Sequence, residues 1–295
     1  MATQLSVIVA VEQAVDNLQA LLSRLGPSGR PEVEVLLCIA RGPDYERVAA
    51  ADLANSRLIE GCSGARIPEL WRDGIIAAAS PRVALLTAHC PPHDDWLAEA
   101  MQLPVDARTV GIGGYFVNAA EGDALSWGIF LQRYRDYAQA IDAIDVGEIA
   151  ADNAVYWRPA ILQSDDLLRE GFWEPDFHRR FRAAGCRLAR SSRIRVEHRN
   201  VYTGSQFMAQ RFAHGRQFGA SRARQSGALR RAVLLASSPL IPLVVYFKIL
   251  RGAMRARLLR EAPALALLWL AAFCIAWGGG EALGLLTARM RSDMR

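Results

Sequence analysis

Apolar runs of strand length alternate with segments of helical spacing over the first hundred residues. The strand-like runs are residues 5–11, 32–40, 56–61 and 82–88. The segments 16–25 and 67–80 instead place apolar residues three and four apart, which predicts helices. Because strands and helices alternate, we expect a mostly parallel sheet with helices on both faces. In such folds ligands bind at the carboxyl ends of the strands.

The pattern is looser beyond residue 104. A strand is predicted over 109–118, where Gly113 and Gly114 allow a close backbone approach. A helix beginning near residue 175 is expected to stop at Gly185, placed in the C′ position. The other segments with regular patterns are 124–141 and 205–224, which read as helices, 186–198, which reads as a strand, and 153–162.

Two apolar runs follow residue 230. The first, 232–247, contains Pro239 and Pro242 and is short for a spanning helix of about 20 residues, whereas the second, 262–280, is long enough. Arginines precede the first run and separate the two, so the positive-inside rule favours both flanks on the cytoplasmic side. We therefore expect the first run to be re-entrant or interfacial, or to form an imperfect hairpin with the second. The alternative is a pair of buried helices in a soluble bundle.

Charge and cysteine content narrow the functional classes. The net charge is +5, and the basic residues concentrate from Arg179 onward. This asymmetry suits an anionic membrane surface or a phosphate-bearing substrate, and no nucleic-acid-binding motif is present. Only Lys248 is a lysine, which is typical of a GC-rich bacterial genome. The five cysteines include no CxxC pair, which favours a reduced compartment and argues against structural zinc.

Taken in order, these features resemble the bacterial, membrane-attached family 2 glycosyltransferases of the A-type fold. The features are the alternating first half, the Gly-Gly strand, the "WEPD" helix start at 173–176, and the basic helix before the apolar tail. The resemblance implies an α/β fold with a Rossmann-like, mostly parallel sheet and a helical membrane-associated tail. It also implies a catalytic domain over 1–203, a basic amphipathic helix over 204–230 and membrane helices over 231–295.

In that family the fourth strand ends in an Asp-x-Asp pair that holds Mg²⁺ or Mn²⁺ on the diphosphate of a nucleotide-sugar donor. Here Thr87 and His89 stand where the two acids belong, within flanks ("CPPHDDWL") that fit the family. His198, which ends the strand "RVEH", matches a family histidine that contacts metal or diphosphate. The resemblance therefore leaves three alternatives: a metal site built from His89 and His198, metal-independent transfer, or two histidines that only satisfy local hydrogen bonds.

The acceptor side matches the family more closely. Its motif, approximately Glu-Asp-x-Asp-Leu-x-x-Arg-Leu, places Glu174 at the position of the general base that deprotonates the acceptor hydroxyl, and Asp176 at the second acid. The alternative is that both carboxylates only stabilise the positive end of a helix.

On the donor side the resemblance implicates a further set of residues, and it also shows departures. The first strand ends in Glu12 and Gln13 without the family's base-packing phrase, and the second strand lacks the acid that binds uridine. Purely structural roles remain alternatives for some of these residues. Gly113 and Gly114 can belong to a tight turn, and Arg211 and Arg216 can belong to a solvated basic face. The donor-binding candidates are Arg72, Thr87, His89, Gly113, Gly114, His198, Arg211 and Arg216.

The resemblance implies an inverting transfer of a sugar from a nucleotide-sugar donor to a lipid-linked or glycan acceptor. The expected location is the cytoplasmic face of the bacterial inner membrane, with no nucleic-acid partner. A second hypothesis is a catalytically degenerate protein that keeps the fold as a membrane-attached binding or scaffolding module. A third is a small integral membrane protein with an unrelated α/β domain.

Overall fold

The computed structural model describes residues 3–12, 18–25, 32–51, 53, 56–120, 122–224 and 226–287. The chain divides into two compact units. The first comprises the residues up to Ala119 together with Tyr137–Arg199, and the second comprises Ala120–Asp136 together with the residues from Asn200 onward. The predicted helix over 16–25 and the end of the first strand at Glu12 and Gln13 lie partly outside the described residues.

The first unit is built on a sheet whose described strands run in the order β3-β2-β1-β4-β7-β5-β8-β6. Strand β1 is buried along its whole length, as its mainly apolar sequence predicts for a central strand covered on both faces. The strands are β1 (Leu5–Val11), β2 (Val33–Ala40), β3 (Arg57–Gly61), β4 (Arg82–Thr87), β5 (Thr109–Asn118), β6 (Ala143–Ile144), β7 (Asn153–Trp157) and β8 (Arg187–His198).

Strand β7 departs from the parallel pattern. It lies antiparallel between β4 and β5, while β1 to β4 are parallel neighbours and β5 pairs parallel with β8. Its first residue, Asn153, is opposite Leu86 near the end of β4. The beginning of β7 therefore lies at the same sheet edge as the carboxyl end of β4.

Helices connect these strands, as the alternating sequence pattern predicts. Helix α8 ends where expected, because Gly185 adopts the positive φ of +77° that a C′ glycine supplies. The helices of this unit are α1 (Leu18–Arg24), α2 (Pro43–Ala50), α3 (Ile67–Ala77), α4 (Trp96–Gln102), α6 (Arg158–Leu162), α7 (Asp165–Leu168) and α8 (Glu174–Ala183).

The buried side chain of Asn153 ties three strands and a helix together. Its amide nitrogen donates to the carbonyls of Tyr115 on β5 and Ile194 on β8, at 3.0 and 3.3 Å. Its amide oxygen accepts from the indole nitrogen of Trp96 on α4 at 2.8 Å. Gly114 makes room for this arrangement, since a Cβ there would lie 2.2 Å from the Ile194 carbonyl oxygen and 2.4 Å from the Asn153 amide nitrogen.

Helix α8 packs on β7 through a buried polar pair. The hydroxyl of Tyr156 lies 3.0 Å from Nε2 of His178, and both side chains are buried. The Nδ1 atom of His178 has no hydrogen-bond partner among the described residues. Burial lowers the pKa of His178 to about 4, so the imidazole is neutral in the folded protein at neutral pH.

The second unit is helical. It contains α5 (Ala124–Tyr134), α9 (Gly204–Arg224), α10 (Ala228–Ser237), α11 (Ile241–Arg255) and α12 (Leu265–Thr287). A 3₁₀ turn joins α10 to α11, so Ala228–Arg255 forms a 28-residue helical segment. This segment and α12 are both long and apolar enough to cross a membrane.

The first apolar segment is longer than its sequence indicated. Pro239 lies at the start of the 3₁₀ turn and Pro242 at the start of α11. Backbone N–H groups at the start of a helix have no intrahelical acceptor, so a proline there costs no hydrogen bond. The prolines therefore join two helices without ending the segment. The helix expected over 124–141 is shorter than predicted: α5 ends at Tyr134, and a 3₁₀ turn follows over Arg135–Tyr137.

Helices α9 and α12 cross through four glycines. A Cβ on Gly215 or Gly219 would lie 2.2 Å from the carbonyl oxygen of Trp277 or Glu281 respectively. A Cβ on Gly280 or Gly284 would lie 2.0 Å from a carbonyl of α9. Each helix thus carries a Gly-xxx-Gly pair, and the two backbones touch because neither has a side chain at the crossing.

We predict that Gly114→Ala destabilises the first unit by about 2–4 kcal/mol, because the new methyl group overlaps the Asn153 amide and the Ile194 carbonyl. Gly147→Ala is the matched control, since a Cβ there meets only Arg182 Nη1 at 3.9 Å. Urea unfolding followed by tryptophan fluorescence measures both. Equal stability of the two variants would contradict the role of Asn153.

We also predict a pH dependence that originates at His178. The unfolded chain protonates this imidazole near its ordinary pKa of about 6.5, whereas the folded protein does so only near 4. The unfolded state therefore binds more protons as the pH falls from 7 to 4, and stability falls by up to about 3 kcal/mol.

Because buried carboxylates also contribute to acid unfolding, the comparison is with His178→Gln, which keeps a hydrogen-bonding group beside Tyr156 but does not titrate. Thermal unfolding midpoints at several pH values between 5 and 7 should fall less steeply in this variant. His93→Gln, at a partly exposed position, serves as the control. Parallel pH curves for the wild type and His178→Gln would disprove the prediction.

Candidate functional site

The loop after β4 is held against the end of β8 by backbone hydrogen bonds. The carbonyl of His89 accepts from the Arg199 amide at 2.9 Å, and the carbonyl of Pro91 accepts from the Glu197 amide at 2.9 Å. These bonds bring His89 beside His198, with ring centroids 6.0 Å apart and ring planes perpendicular. The two histidines predicted from the sequence to share a site therefore do lie together, and both are buried.

A three-residue group lies at this same edge. The ligand atoms of His89, Cys90 and Asp152 are all within 4.8 Å of one another. Each of these residues is 5% exposed or less. Asp152 reaches the group because it immediately precedes β7, whose first residue pairs beside the end of β4. The nitrogens of His198 do not lie within that distance of all three.

The chemistry of this group decides which metal it suits. Mg²⁺ and Mn²⁺ prefer hard oxygen ligands, usually more than one carboxylate. The group offers one imidazole nitrogen, one sulfur and one carboxylate, a softer set of the kind found around zinc. These residues therefore do not fit a Mg²⁺ or Mn²⁺ site of the Asp-x-Asp kind.

Glu174 lies close to this group through the backbone. Its Oε1 accepts a hydrogen bond from the Ala151 amide at 2.8 Å, next to Asp152 in the chain. The residue is half-buried at the first position of α8, where the helix dipole favours a carboxylate. Burial first, and then the charge of Glu174, raises the pKa of the neighbouring Tyr156 phenol. Glu174 is thus a partly accessible acid fixed beside the sheet edge.

The other acid predicted on α8 is placed differently. Asp176 is about half-exposed and pairs with Arg179, one turn along the helix. That contact is a surface ion pair of the kind that contributes little energy. The position of Asp176 therefore agrees with the alternative role at a helix start that the sequence left open.

Three donor-side candidates lie within the sheet or on its covering helix. Thr87 is fully buried at the end of β4, and its hydroxyl has no hydrogen-bond partner among the described residues. The guanidinium of Arg72 on α3 pairs with Asp73 at 2.7 Å and donates to the Arg169 carbonyl at 3.1 Å. Gly113 packs on the Ile149 side chain, since a Cβ there would lie 2.7 Å from it.

The remaining two candidates belong to the second unit, on α9. Arg211 stacks over the rings of Phe207 and Trp277, and burial lowers its pKa to about 9. Arg216 is exposed. The basic segment is therefore mixed: one arginine is part of the packing between helices, and the other faces solvent.

Sequence reasoning misses two members of the buried group. Cys90 lies inside the phrase "CPPHDDWL", where the resemblance makes it only a flank, and the pattern around Asp152 gave that residue no role. The available signal was the acid directly before a strand-like run at 153–157. Had that strand been recognised as antiparallel to β4, its first residues would have been placed beside the end of β4.

Comparison with known proteins identifies the fold. No family model and no curated protein matches the chain. Among solved structures it is similar to the mannosyltransferase PcManGT from Pyrobaculum calidifontis in complex with GDP-Man and Mn²⁺. The TM-score is 0.54 at 16% identity, over 95% of this chain and 87% of that one.

The chain is also similar to GalNAc-T7, solved with UDP, GalNAc and Mn²⁺. Here the TM-score is 0.50 at 13% identity, over 68% of this chain and 44% of that one. Sequence identities this low establish architecture alone. The chain has the A-type glycosyltransferase fold, with a mostly parallel sheet, helices around it and two apolar helices at its C-terminal end.

Proposed function

We propose that the protein is a glycosyltransferase that moves a sugar from a nucleotide-diphosphate donor to a lipid-linked or glycan acceptor, with inversion at the anomeric carbon. Glu174 accepts the proton of the acceptor hydroxyl as that oxygen attacks. The nucleoside diphosphate leaves from the opposite face. The proposed location is the cytoplasmic face of a bacterial inner membrane, where the two apolar helices would attach the protein.

The position of Glu174 carries this proposal. Its carboxylate is bonded to the Ala151 amide, beside the buried group at the end of β4 and the start of β7. In α/β folds ligands bind at the carboxyl ends of the parallel strands, and the start of the antiparallel β7 lies at that same edge. A general base must lie within hydrogen-bonding reach of the proton it removes, and the half-buried Glu174 carboxylate would be available to an acceptor hydroxyl bound at this edge. Both structural neighbours were solved with donor components, which supports the same reaction class.

The negative charge that develops on the leaving diphosphate needs positive partners. Arg72 and His198 are the candidates that the resemblance provides. Arg72 is half-buried and its guanidinium is paired with Asp73, so the pair has no net charge and Arg72 would act on the diphosphate only through its hydrogen-bond donors. His198 lies beside His89 at the sheet edge. Divalent-metal help is not required in this scheme, in accordance with the poor fit of the donor set to Mn²⁺.

A second candidate function is a catalytically degenerate module that binds without turnover at the membrane. One observation favours it: the two positions that carry metal-binding acids in the related family, Thr87 and His89, are here at most 4% exposed. Side chains buried to this extent contribute to packing whether or not a donor binds. Turnover by the purified protein separates the two functions.

We predict that Glu174→Gln lowers kcat by about 10²–10⁴-fold, because the amide cannot accept the acceptor proton. Donor affinity should change less than about twofold, since the amide oxygen still accepts from Ala151. The donor is first chosen by calorimetric titration with a panel of GDP- and UDP-sugars. Release of nucleoside diphosphate is then followed with a membrane lipid extract as the source of acceptor.

Glu170→Gln is the matched control, because Glu170 is an exposed acid four residues earlier. Its kcat should stay within about twofold of the wild type, as is usual for an exposed substitution away from the site. Unchanged turnover in Glu174→Gln would remove Glu174 from the mechanism. Absence of binding to every sugar nucleotide would contradict glycosyl transfer itself.

We also predict that donor affinity measured in EDTA lies within about threefold of that measured with Mn²⁺. The physical reason is that the His89, Cys90 and Asp152 set lacks the paired carboxylates that Mn²⁺ prefers. Calorimetric titration of the same donor under the two conditions is the measurement. Donor binding at least about tenfold tighter with Mn²⁺ would show that a hard-metal site forms despite the substitutions.

A further inference from the structure

The second unit contains a cavity that the proposed transfer does not use. Its volume is about 560 Å³, and it is lined by residues of α5, α9, α10, α11 and α12 and of the 3₁₀ turns that follow α5 and α10. The walls are mainly apolar, but four ionisable side chains also face it: Arg135, Arg222, Lys248 and Glu281. A cavity of this size accepts a molecule of several tens of atoms or the end of a longer one.

The charges of the lining do not cancel. Glu281 is 2% exposed and pairs with Arg222, so these two residues neutralise each other inside the helix packing. Arg135 and Lys248 remain as two further cations. Arg135 is itself paired, with Asp136 at 2.8 Å, so the net positive charge of the lining comes from Lys248. The cavity therefore has a surplus of positive charge that favours an anion.

Arg135 and Lys248 lie toward the same end of α11. The Arg135–Asp136 pair packs on Gly252, where a Cβ would be 3.1 Å from Arg135 Nε and 3.4 Å from Asp136 Oδ1. Gly252 follows Lys248 by one helical turn, and residues four apart share a helix face. Lys248 and the Arg135–Asp136 pair are therefore placed on one face of α11.

An apolar stripe leads to this charged end along α11. Ile241, Val244, Val245 and Lys248 all line the cavity, at the i, i+3, i+4 and i+7 spacing of one helix face. Seven residues of helix correspond to about 10 Å. A ligand lying along this stripe has an apolar portion of about that length followed by an anionic group.

The surroundings indicate where such a ligand comes from. On Ala228–Arg255, which is long and apolar enough to cross a membrane, large apolar side chains are exposed. Leu229 is 81% exposed and Phe247 61%. Exposed apolar surface of this extent needs an apolar covering, and lipid provides one. An amphiphile already within the bilayer would reach the cavity without crossing water.

We propose that this cavity binds an anionic phospholipid of the bilayer, with the phosphate on Lys248, beside the Arg135–Asp136 pair, and the first part of an acyl chain along Ile241, Val244 and Val245. The Arg222–Glu281 pair forms part of the wall and contributes no net charge. This lipid is a bound component of the membrane and is not consumed. The site exists whether or not the first unit transfers sugar.

Trp277 lines the cavity and provides a local reporter. The full chain is reconstituted in nanodiscs of unbrominated phosphatidylcholine, and dibrominated phosphatidylglycerol or dibrominated phosphatidylcholine is added in increasing mole fraction. Quenching at Trp277 is taken as the difference between the wild type and Trp277→Phe. We expect saturable quenching, with half-saturation at about a fivefold lower mole fraction for phosphatidylglycerol than for phosphatidylcholine.

Lys248→Gln should abolish this preference by raising the half-saturation for phosphatidylglycerol about fivefold. Arg251→Gln is the matched control, because Arg251 is an exposed cation on the same helix outside the cavity lining, and it should leave the preference intact. Circular dichroism verifies that both variants keep their helix content. Equal loss of preference in the two variants would reduce the effect to a basic surface and overturn the site.

Two competitors separate the sources of an anionic group. Inorganic phosphate in excess should not relieve the quenching, because it lacks the apolar portion; if it does, the cavity is a phosphate site. A polyprenyl phosphate added in equal amount should compete no better than phosphatidylglycerol, and much tighter binding would make the cavity an acceptor site. Identical quenching by phosphatidylglycerol and phosphatidylcholine, or equal quenching in Trp277→Phe, would also overturn the proposal.

Discussion

The carboxamide of Asn153 is the interaction on which the first unit depends. Strand β7 enters the sheet against the direction of its neighbours, and a strand in that position needs its first residue fixed. Asn153 provides this by donating to β5 and β8 and accepting from Trp96. A buried amide with all these bonds formed is favourable, but leaving one of them unmade costs about 1–3 kcal/mol. The same bonds set the position of the residue just before it, Asp152, and therefore the shape of the candidate site.

Elements with a strong local pattern were predictable. Strands β1 and β5 begin and end at the residues expected, because a continuous β-branched run and a Gly-Gly strand have few other stable arrangements. The stop of α8 at Gly185 was likewise confirmed, since a C′ glycine acts through its own φ angle. Local signals of this kind do not depend on the rest of the chain.

The features that could not be predicted from the sequence depend on contacts between residues that are far apart along the chain. The direction of β7 is set by pairing with β4, about seventy residues earlier, and no periodicity within 153–157 encodes it. The close approach of α9 and α12 needs Gly215 and Gly219 on one helix and Gly280 and Gly284 on the other. A Gly-xxx-Gly pair is common in sequences. It predicts close packing of two helices only when the second helix carries a matching pair at the crossing. The division into units shows the same limit, since Ala120–Asp136 clusters with helices that begin about eighty residues later.

The candidate site shows how a substitution at one strand changes the meaning of its neighbours. With Thr87 and His89 at the end of β4, this strand supplies no carboxylate, and the one acid in the buried group comes from the chain just before β7. A single carboxylate with an imidazole and a thiol cannot present the doubly negative face that attracts Mg²⁺ or Mn²⁺ to a diphosphate. Stabilisation of a leaving diphosphate would then fall to fixed cations, which unlike a bound ion need no free coordination positions. Burial of Thr87 and His89 is compatible with a transfer of this kind, because neither side chain then needs to bridge a metal to the substrate. In the proposed transfer, the accessible acid beside these buried residues is Glu174, which a backbone hydrogen bond holds in place.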